Sequence, residues 1–203
     1  MSDTPPNHGP KLDPRRRRTR DRLGDALVEL IQEQPFDSIT VQHVLDRAGV
    51  ARSTFYANYK DKDDLFQSDA DDFFLHMANA PLRQVEGDLP RVAPLRELLE
   101  HVADVRPFFA AVVASGRLHD VLDLGRGHFA RSIAERLARE PRAASLSTEQ
   151  RQVLGQALSG AMTALLLAWV RDPAPRPAAE LDAFFHGLVW NGVAAGGANA
   201  TDA

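Results

Sequence analysis

The sequence predicts an all-α chain, and three observations carry that prediction. Apolar residues recur three and four positions apart in one segment after another, which is the period of a helix buried along one side. No segment alternates apolar and polar residues convincingly over the length of a strand, and no internal repeat occurs. Turn residues fall where those helical patterns stop: Pro35, Gly49, Pro107, Pro141 and Pro173.

Taken in order, residues 1–14 hold four prolines and no apolar period, which predicts a disordered N-terminal tail. Arg15 to Arg18 enter a first helix whose stripe is Leu23, Leu27, Leu30 and Ile31, ended by Pro35. Thr40 is suited to N-cap a second helix, with Val41, Val44, Leu45 and Ala48 as its apolar side and Gly49 closing it. A third helix is expected from about Ala51 to Tyr59, with Phe55 and Tyr59 pointing inward, and a fourth begins near Asp61, where Leu65 and Phe66 cover the trihelical core.

Beyond it, Leu95, Leu98, Leu99 and Val102 make a stripe broken at Arg106-Pro107. Leu118, Leu122, Phe129, Ile133 and Leu137 belong to a longer helix ending before Pro141. Ser147 or Thr148 opens the next, which runs to Asp172-Pro173. The last occupies roughly 178–195 and gives way to a disordered tail at 196–203. The organisation expected is a tail at 1–14, a helix-turn-helix domain at 15–62, a regulatory and dimerisation domain at 63–195, and the closing tail.

Composition narrows the function. The 203 residues, 44% hydrophobic and 26% charged, are ordinary for a soluble globular protein. There is no cysteine, which excludes disulfides, thiolate catalysis and cysteine metal sites and agrees with a cytoplasmic location. The polar, proline-rich start carries no secretory signal, and Val153 to Val170, the most apolar run, reads as a buried helix rather than a membrane span. Net charge is −4, but it is unevenly distributed. Up to Lys62 there are 11 Lys/Arg against 9 Asp/Glu; beyond it there are 13 against 19. Every lysine lies at or before Lys62. A basic N-terminal part suggests a nucleic-acid partner.

The stretch from Ile39 to Phe66 carries most information. A short helix, a tight turn at Gly49-Val50 and a second short helix form a helix-turn-helix. Ala48 is small enough for the helices to approach, Gly49 tolerates a left-handed backbone, and Val50 plugs the angle between them. With Thr40-Val41, Ala48-Gly49-Val50, Thr54-Phe55-Tyr56, Tyr59 and Lys62 at these spacings, the segment from Thr19 to Leu65 resembles the DNA-binding domain of the TetR/AcrR family of transcriptional regulators. Val44-Leu45 and Ala57 depart from the family's usual residues: the first adds bulk beside the third helix, and the second is small where a larger contacting side chain is common.

The resemblance implies that the third helix lies in a major groove with its N-terminal residues nearest the base edges. Arg52 would then contact a guanine edge or a phosphate, and Gln42 and Asn58 would reach bases. Ser53, Thr54 and Tyr56 would meet phosphates through their hydroxyls, as would Thr40 and Lys62 at helix starts. Arg15, Arg16, Arg17, Arg18 and Arg20 would follow the backbone or enter the minor groove. Taken singly, Thr40 is also an ordinary N-cap, Phe55 and Tyr59 are core, and an arginine run is often only a solvated face.

It further implies a homodimer through the last two helices, a near-palindromic operator, and release of a repressor by a small-molecule effector of unknown identity. In those helices Val153, Ala157, Ala161 and Leu165 are expected to face the subunit's own core, with Gly155, Ser159 and Thr163 as an edge for another helix. Leu181, Phe184, Phe185, Leu188 and Val189 form one face of the last helix, and Trp190 points the other way. Phe108, Phe109, Phe129, Met162 and Trp169 lie on central helices where family pockets form, but read equally as core.

No cofactor or metal is expected: His101, His119 and His128 are scattered, and Glu97, Glu100, His101 and Asp104 read as a solvated face. An all-α enzyme would need a nucleophile–base pair, paired carboxylates or ligand spacing, none of which stands out. A scaffold keeping a degenerate helix-turn-helix is the other rival.

Overall fold

A computed structural model describes residues 14–84 and 89–198, with side chains as far as Gly192. Within that range the chain is α-helical, joined by turns and two short 3-10 segments, Phe36–Ser38 and Pro141–Ala143. It divides into two compact units between Phe66 and Gln67.

The first unit contains α1 (Pro14–Glu33), α2 (Val41–Ala48), α3 (Arg52–Tyr56) and the opening of α4 (Lys62–Asn79). Leu23, Leu27, Leu30 and Ile31 from α1 meet Val44 and Leu45 from α2, Phe55, and Leu65 and Phe66, all buried. Phe36 stacks at a tilt on Phe66, 5.3 Å between ring centres, and so closes the core beneath the loop after α1. Helix α3 is shorter than its sequence pattern suggested. Asn58 Nδ2 donates to the Thr54 carbonyl at 2.7 Å, the acceptor that a continuing helix would give to the Asn58 amide. That amide turns to Phe55 O at 2.8 Å instead, and the helix closes there.

The second unit holds the rest of α4 with α5 (Leu95–Asp104), α6 (Arg106–Ala114), α7 (Leu118–Arg139), α8 (Thr148–Arg171) and α9 (Ala178–Ala198). Of the expected tails, Pro14 begins α1 and residues 196–198 complete α9; 1–13 and 199–203 lie outside the described residues. Alanines flanking Gly196-Gly197, with no proline nearby, let the helix continue. Phe109, Phe129, Met162 and Trp169 are buried, Phe129 lying edge-on to Phe74 at 5.7 Å. The Trp169 indole donates to Arg176 O, which ties the end of α8 to the following loop.

Helix α8 packs along α7, with its faces reversed from expectation. Gly155, Ser159 and Thr163 are buried together with Met162 and Leu166, whereas Val153 is 65% exposed and Ala157 and Ala161 also face outward. The small residues let α8 approach its neighbour within the same subunit. A Cβ built at Gly155 would fall against the Ala130 carbonyl oxygen of α7. By length and mean hydropathy alone α8 would suffice to cross a membrane, but one side of it is occupied by α7. Gly155→Val is expected to force the two helices apart and cost about 1–3 kcal/mol, measurable as a lower urea midpoint with an unchanged slope.

Helix α9 divides the face expected of it, with Phe185 and Val189 buried. Trp190 is buried and donates its indole N–H to Pro90 O at 2.6 Å, while Phe184 and Leu188 are 62% and 58% exposed. Polar groups at four-residue spacing set this orientation. Asp182 Oδ1 accepts from the Arg96 amide at 3.1 Å, and His186 Nε2 accepts from the Val92 and Ala93 amides at 3.1 and 3.3 Å. Because Nε2 is an acceptor there, the imidazole proton sits on Nδ1, which faces Asp182 O at 2.9 Å.

Arg91 completes the ladder by bridging Asp182 (Nε to Oδ2, 2.7 Å) and Glu97 (Nη2 to Oε2, 2.6 Å). Glu97 therefore belongs to a largely buried ion cluster rather than the solvated face expected for it. Burial alone would raise the Asp182 carboxyl. Hydrogen bonds from His186 and Arg91, with the Arg91 charge, outweigh it and hold the group below the usual carboxylate range. Glu97 follows the same pattern: burial works against its charge, and Arg91 overrides burial.

Candidate nucleic-acid interface

The helix-turn-helix is built by capping at both ends of α2. Thr40 accepts from the His43 amide at 3.2 Å, and His43 Nδ1 accepts from the Thr40 amide at 3.4 Å, a capping box with histidine in the place usual for glutamate. Gly49 terminates the helix at φ +60°, a left-handed conformation that a side chain would strain. Arg22 then reaches across from α1 and donates Nη2 to the Ala48 and Gly49 carbonyls, so a guanidinium covers the negative end of α2.

A second arginine locks the angle between α1 and α2. Arg47 donates to Glu33 with both terminal nitrogens, 2.9 and 2.6 Å, and to Glu29 at 3.0 Å. Its hydrogen bond holds the Glu33 carboxyl below the ordinary range. Neither Arg22 nor Arg47 was singled out from sequence. The signal was present for Arg47, since Glu29 and Glu33 are one helical turn apart and share a face.

Against this frame, most of the expected contact residues come together on one surface. Arg52, Ser53 and Tyr56 of α3 are exposed, Thr54 is half-buried, and Gln42 and Thr40 are exposed at the facing end of α2. Arg52 Nη2 donates to Gln42 Oε1 at 3.2 Å, while Gln42 Nε2 donates to Asp46 Oδ1 at 2.7 Å. The Arg52 guanidinium also lies 6.0 Å over the Tyr56 ring. Arg15, Arg16, Arg17 and Arg18 are exposed on the first turns of α1. Arg20 lies over the Tyr59 ring at 5.7 Å.

Two of the expected contacts are engaged within the protein. Asn58 accepts from Arg16 Nε at 2.9 Å and donates to Thr54 O, so both ends of its amide are engaged and it links α1 to the end of α3. Lys62 donates Nζ to the Phe36 and Ile39 carbonyls at 2.6 and 2.8 Å and lies 4.5 Å over the Phe36 ring. That geometry clamps the loop before α2. Among the described residues no group of three His, Asp or Glu side chains is placed to hold a metal ion.

Residues 23–68 match the family described as bacterial regulatory proteins, tetR family. No curated protein matches the chain. Solved structures similar to it include the following three. The TetR transcriptional regulator from Streptococcus agalactiae has 23% identity and a TM-score of 0.58, covering 86% of this chain and 95% of its own. The dihydroxyacetone kinase operon activator DhaS has 14% identity and a TM-score of 0.65, covering 86% and 96%. The TetR family repressor AlkX from Dietzia sp. has 16% identity and a TM-score of 0.56, covering 91% and 97%. At these identities the likeness is one of fold, and it extends over both units. Residues 23–68 thus carry the helix-turn-helix of the tetR family, and the chain as a whole has the all-helical fold seen in TetR-type transcriptional regulators.

Proposed function

We propose that this chain is a cytoplasmic, sequence-specific DNA-binding regulator that acts as a homodimer and represses transcription until a small molecule releases it. The observation that carries the reading is the outward surface made by Arg52, Ser53 and Tyr56 with Gln42, beside the exposed arginines at the start of α1. Hydroxyls and guanidinium groups in that arrangement fit a duplex, with phosphates fixing register and Arg52 available to a base edge.

Binding to a near-palindromic operator tests it. A footprint on the genome's upstream regions, followed by titrations at several salt concentrations, should yield a protected two-fold site. Six phosphate contacts give a log–log slope near −5, at roughly −0.9 per contact. Weak binding that ignores both sequence and salt would favour the scaffold reading instead. Repression is tested by deletion, which should raise transcription of adjacent genes. AlkX and DhaS bear repressor and activator names, so the sign rests on that measurement.

Dimerisation is supported by the open side of α8 and α9. Leu154, Leu158, Ala164 and Leu165 line an apolar groove of about 510 Å³ with Phe184 and Leu188. An apolar surface of this kind is uncommon on a soluble monomer and fits a second copy of the same helix pair. Phe184→Glu together with Leu188→Glu should produce a folded monomer by analytical ultracentrifugation, with operator affinity at least tenfold weaker; a double variant that stays dimeric refutes this interface. Ligand release would act by favouring one separation of the two reading heads, with α4, which contains the boundary between units, as the transmitting element.

A further inference from the structure

Where α4 and α7 end, the second unit has a polar cavity of about 340 Å³, lined by Asn79, Arg91, Ser132, Glu135, Arg136 and Arg139 among others. Arg136 gives the cavity its character. Its Nη2 donates to the Ala78 and Ala80 carbonyls at 2.8 and 2.9 Å, closing the end of α4. Its Nη1 is buried with no protein acceptor, and no carboxylate among the described residues forms an ion pair with it. Burial depresses the Arg136 pKa. A guanidinium does not release its proton in response; the charges of Glu97 and Glu135 offset part of the burial cost, and Nη1 is the donor left to be satisfied.

The other charges limit what that acceptor is. Arg91 is matched by Glu97 and Asp182, two carboxylates against one guanidinium, which disfavours a dianion nearby. Among the described lining residues, Arg136 and Arg139 against Glu135 leave room for a single negative charge. The volume is at the lower end of small-molecule sites, which suits a short or single-ring acid.

We infer that this cavity is a binding site for a small monocarboxylate, with Arg136 and Arg139 as its charged donors. The inference deepens the effector reading and rests on it only for regulation; binding itself stands apart from DNA.

The test is calorimetric titration of the full chain with sodium benzoate, sodium acetate, sodium succinate and inorganic phosphate at matched ionic strength, with sodium chloride as control. Benzoate or acetate should bind saturably at one site per chain, at least tenfold tighter than succinate or phosphate. Arg139→Gln, at the exposed rim, should weaken binding at least tenfold while leaving the melting temperature unchanged. Arg136→Lys retains a donor for the end of α4 and should weaken it by a similar factor. Absence of saturable monocarboxylate binding above chloride overturns the assignment. So does binding undiminished in both variants, or a preference for phosphate or succinate. Saturable binding that leaves operator affinity unchanged supports the site and removes its role as the effector site.

Discussion

Arg91→Met is expected to destabilise the unit beginning at Gln67 by about 3–5 kcal/mol, because it strands two buried carboxylates. Arg91 presents five donors in a fixed fork and uses that geometry fully. Nε and Nη2 meet the two Asp182 oxygens at 2.7 and 2.9 Å, and Nη1 and Nη2 meet the two Glu97 oxygens at 2.7 and 2.6 Å. A thioether of similar length fills the space but donates nothing. Arg91→Lys keeps the charge without the fork, so an intermediate loss is expected.

The pH dependence separates this cause from simple loss of packing. Asp182 and Glu97 are held below their ordinary values in the folded protein. Their contribution is therefore fully present above the unfolded values, near 4, and lost as pH falls through the folded ones. In Arg91→Met the same carboxyls keep their burial and lose the Arg91 hydrogen bonds and charge, so they protonate at higher pH than in the parent. The stability gap should be widest near neutrality and shrink as pH falls towards about 4. Urea unfolding at pH 7 and pH 4 measures it. A loss under 1 kcal/mol at pH 7, or a gap that grows in acid, would mean the cluster is not what holds α9 to the segment before α5.

The same helix explains why part of the fold was unreadable from sequence. In the first unit, residue identity and backbone demand coincide. Thr40 is a cap wherever an amide needs one, Gly49 is the residue a left-handed turn favours, and Leu23, Leu27, Leu30 and Ile31 leave one face to bury. Helices α8 and α9 are apolar nearly all round, so periodicity alone cannot select the inner face. Polar residues select it, against the usual assumption that polar means outside. Asp182, His186 and Trp190 lie four apart, a spacing visible in the sequence. Their partners, however, are the amides and carbonyl of residues 90–96 and the side chain of Arg91, and nothing local to α9 reveals them. The outcome is a helix with its hydrogen-bonding groups inside and Phe184 and Leu188 outside, an arrangement that would suit the proposed dimer.

In the candidate interface, residue chemistry proposes the contacting side chains but not the division of labour among them. Gln42, Arg52 and Asn58 all have the chemistry of base readers, and only their contacts separate them. Asn58 is occupied at both ends of its amide, by Arg16 and Thr54. Gln42 is oriented by Asp46 and offers its oxygen to Arg52, which makes it a positioning residue for the guanidinium. Arg52→Ala is therefore expected to reduce discrimination at one base pair by about 1–3 kcal/mol, while affinity for unrelated DNA and the salt slope stay close to those of the parent. Gln42→Ala should give a smaller loss at the same base pair, since it frees Arg52 without removing it. Competition titrations against operators substituted one position at a time, at two salt concentrations, distinguish the outcomes. If Arg52→Ala instead weakens every sequence alike and flattens the salt slope by about 0.9, the guanidinium is on a phosphate. The Asp46–Gln42–Arg52 chain would then fix where the protein sits on the duplex rather than which sequence it selects.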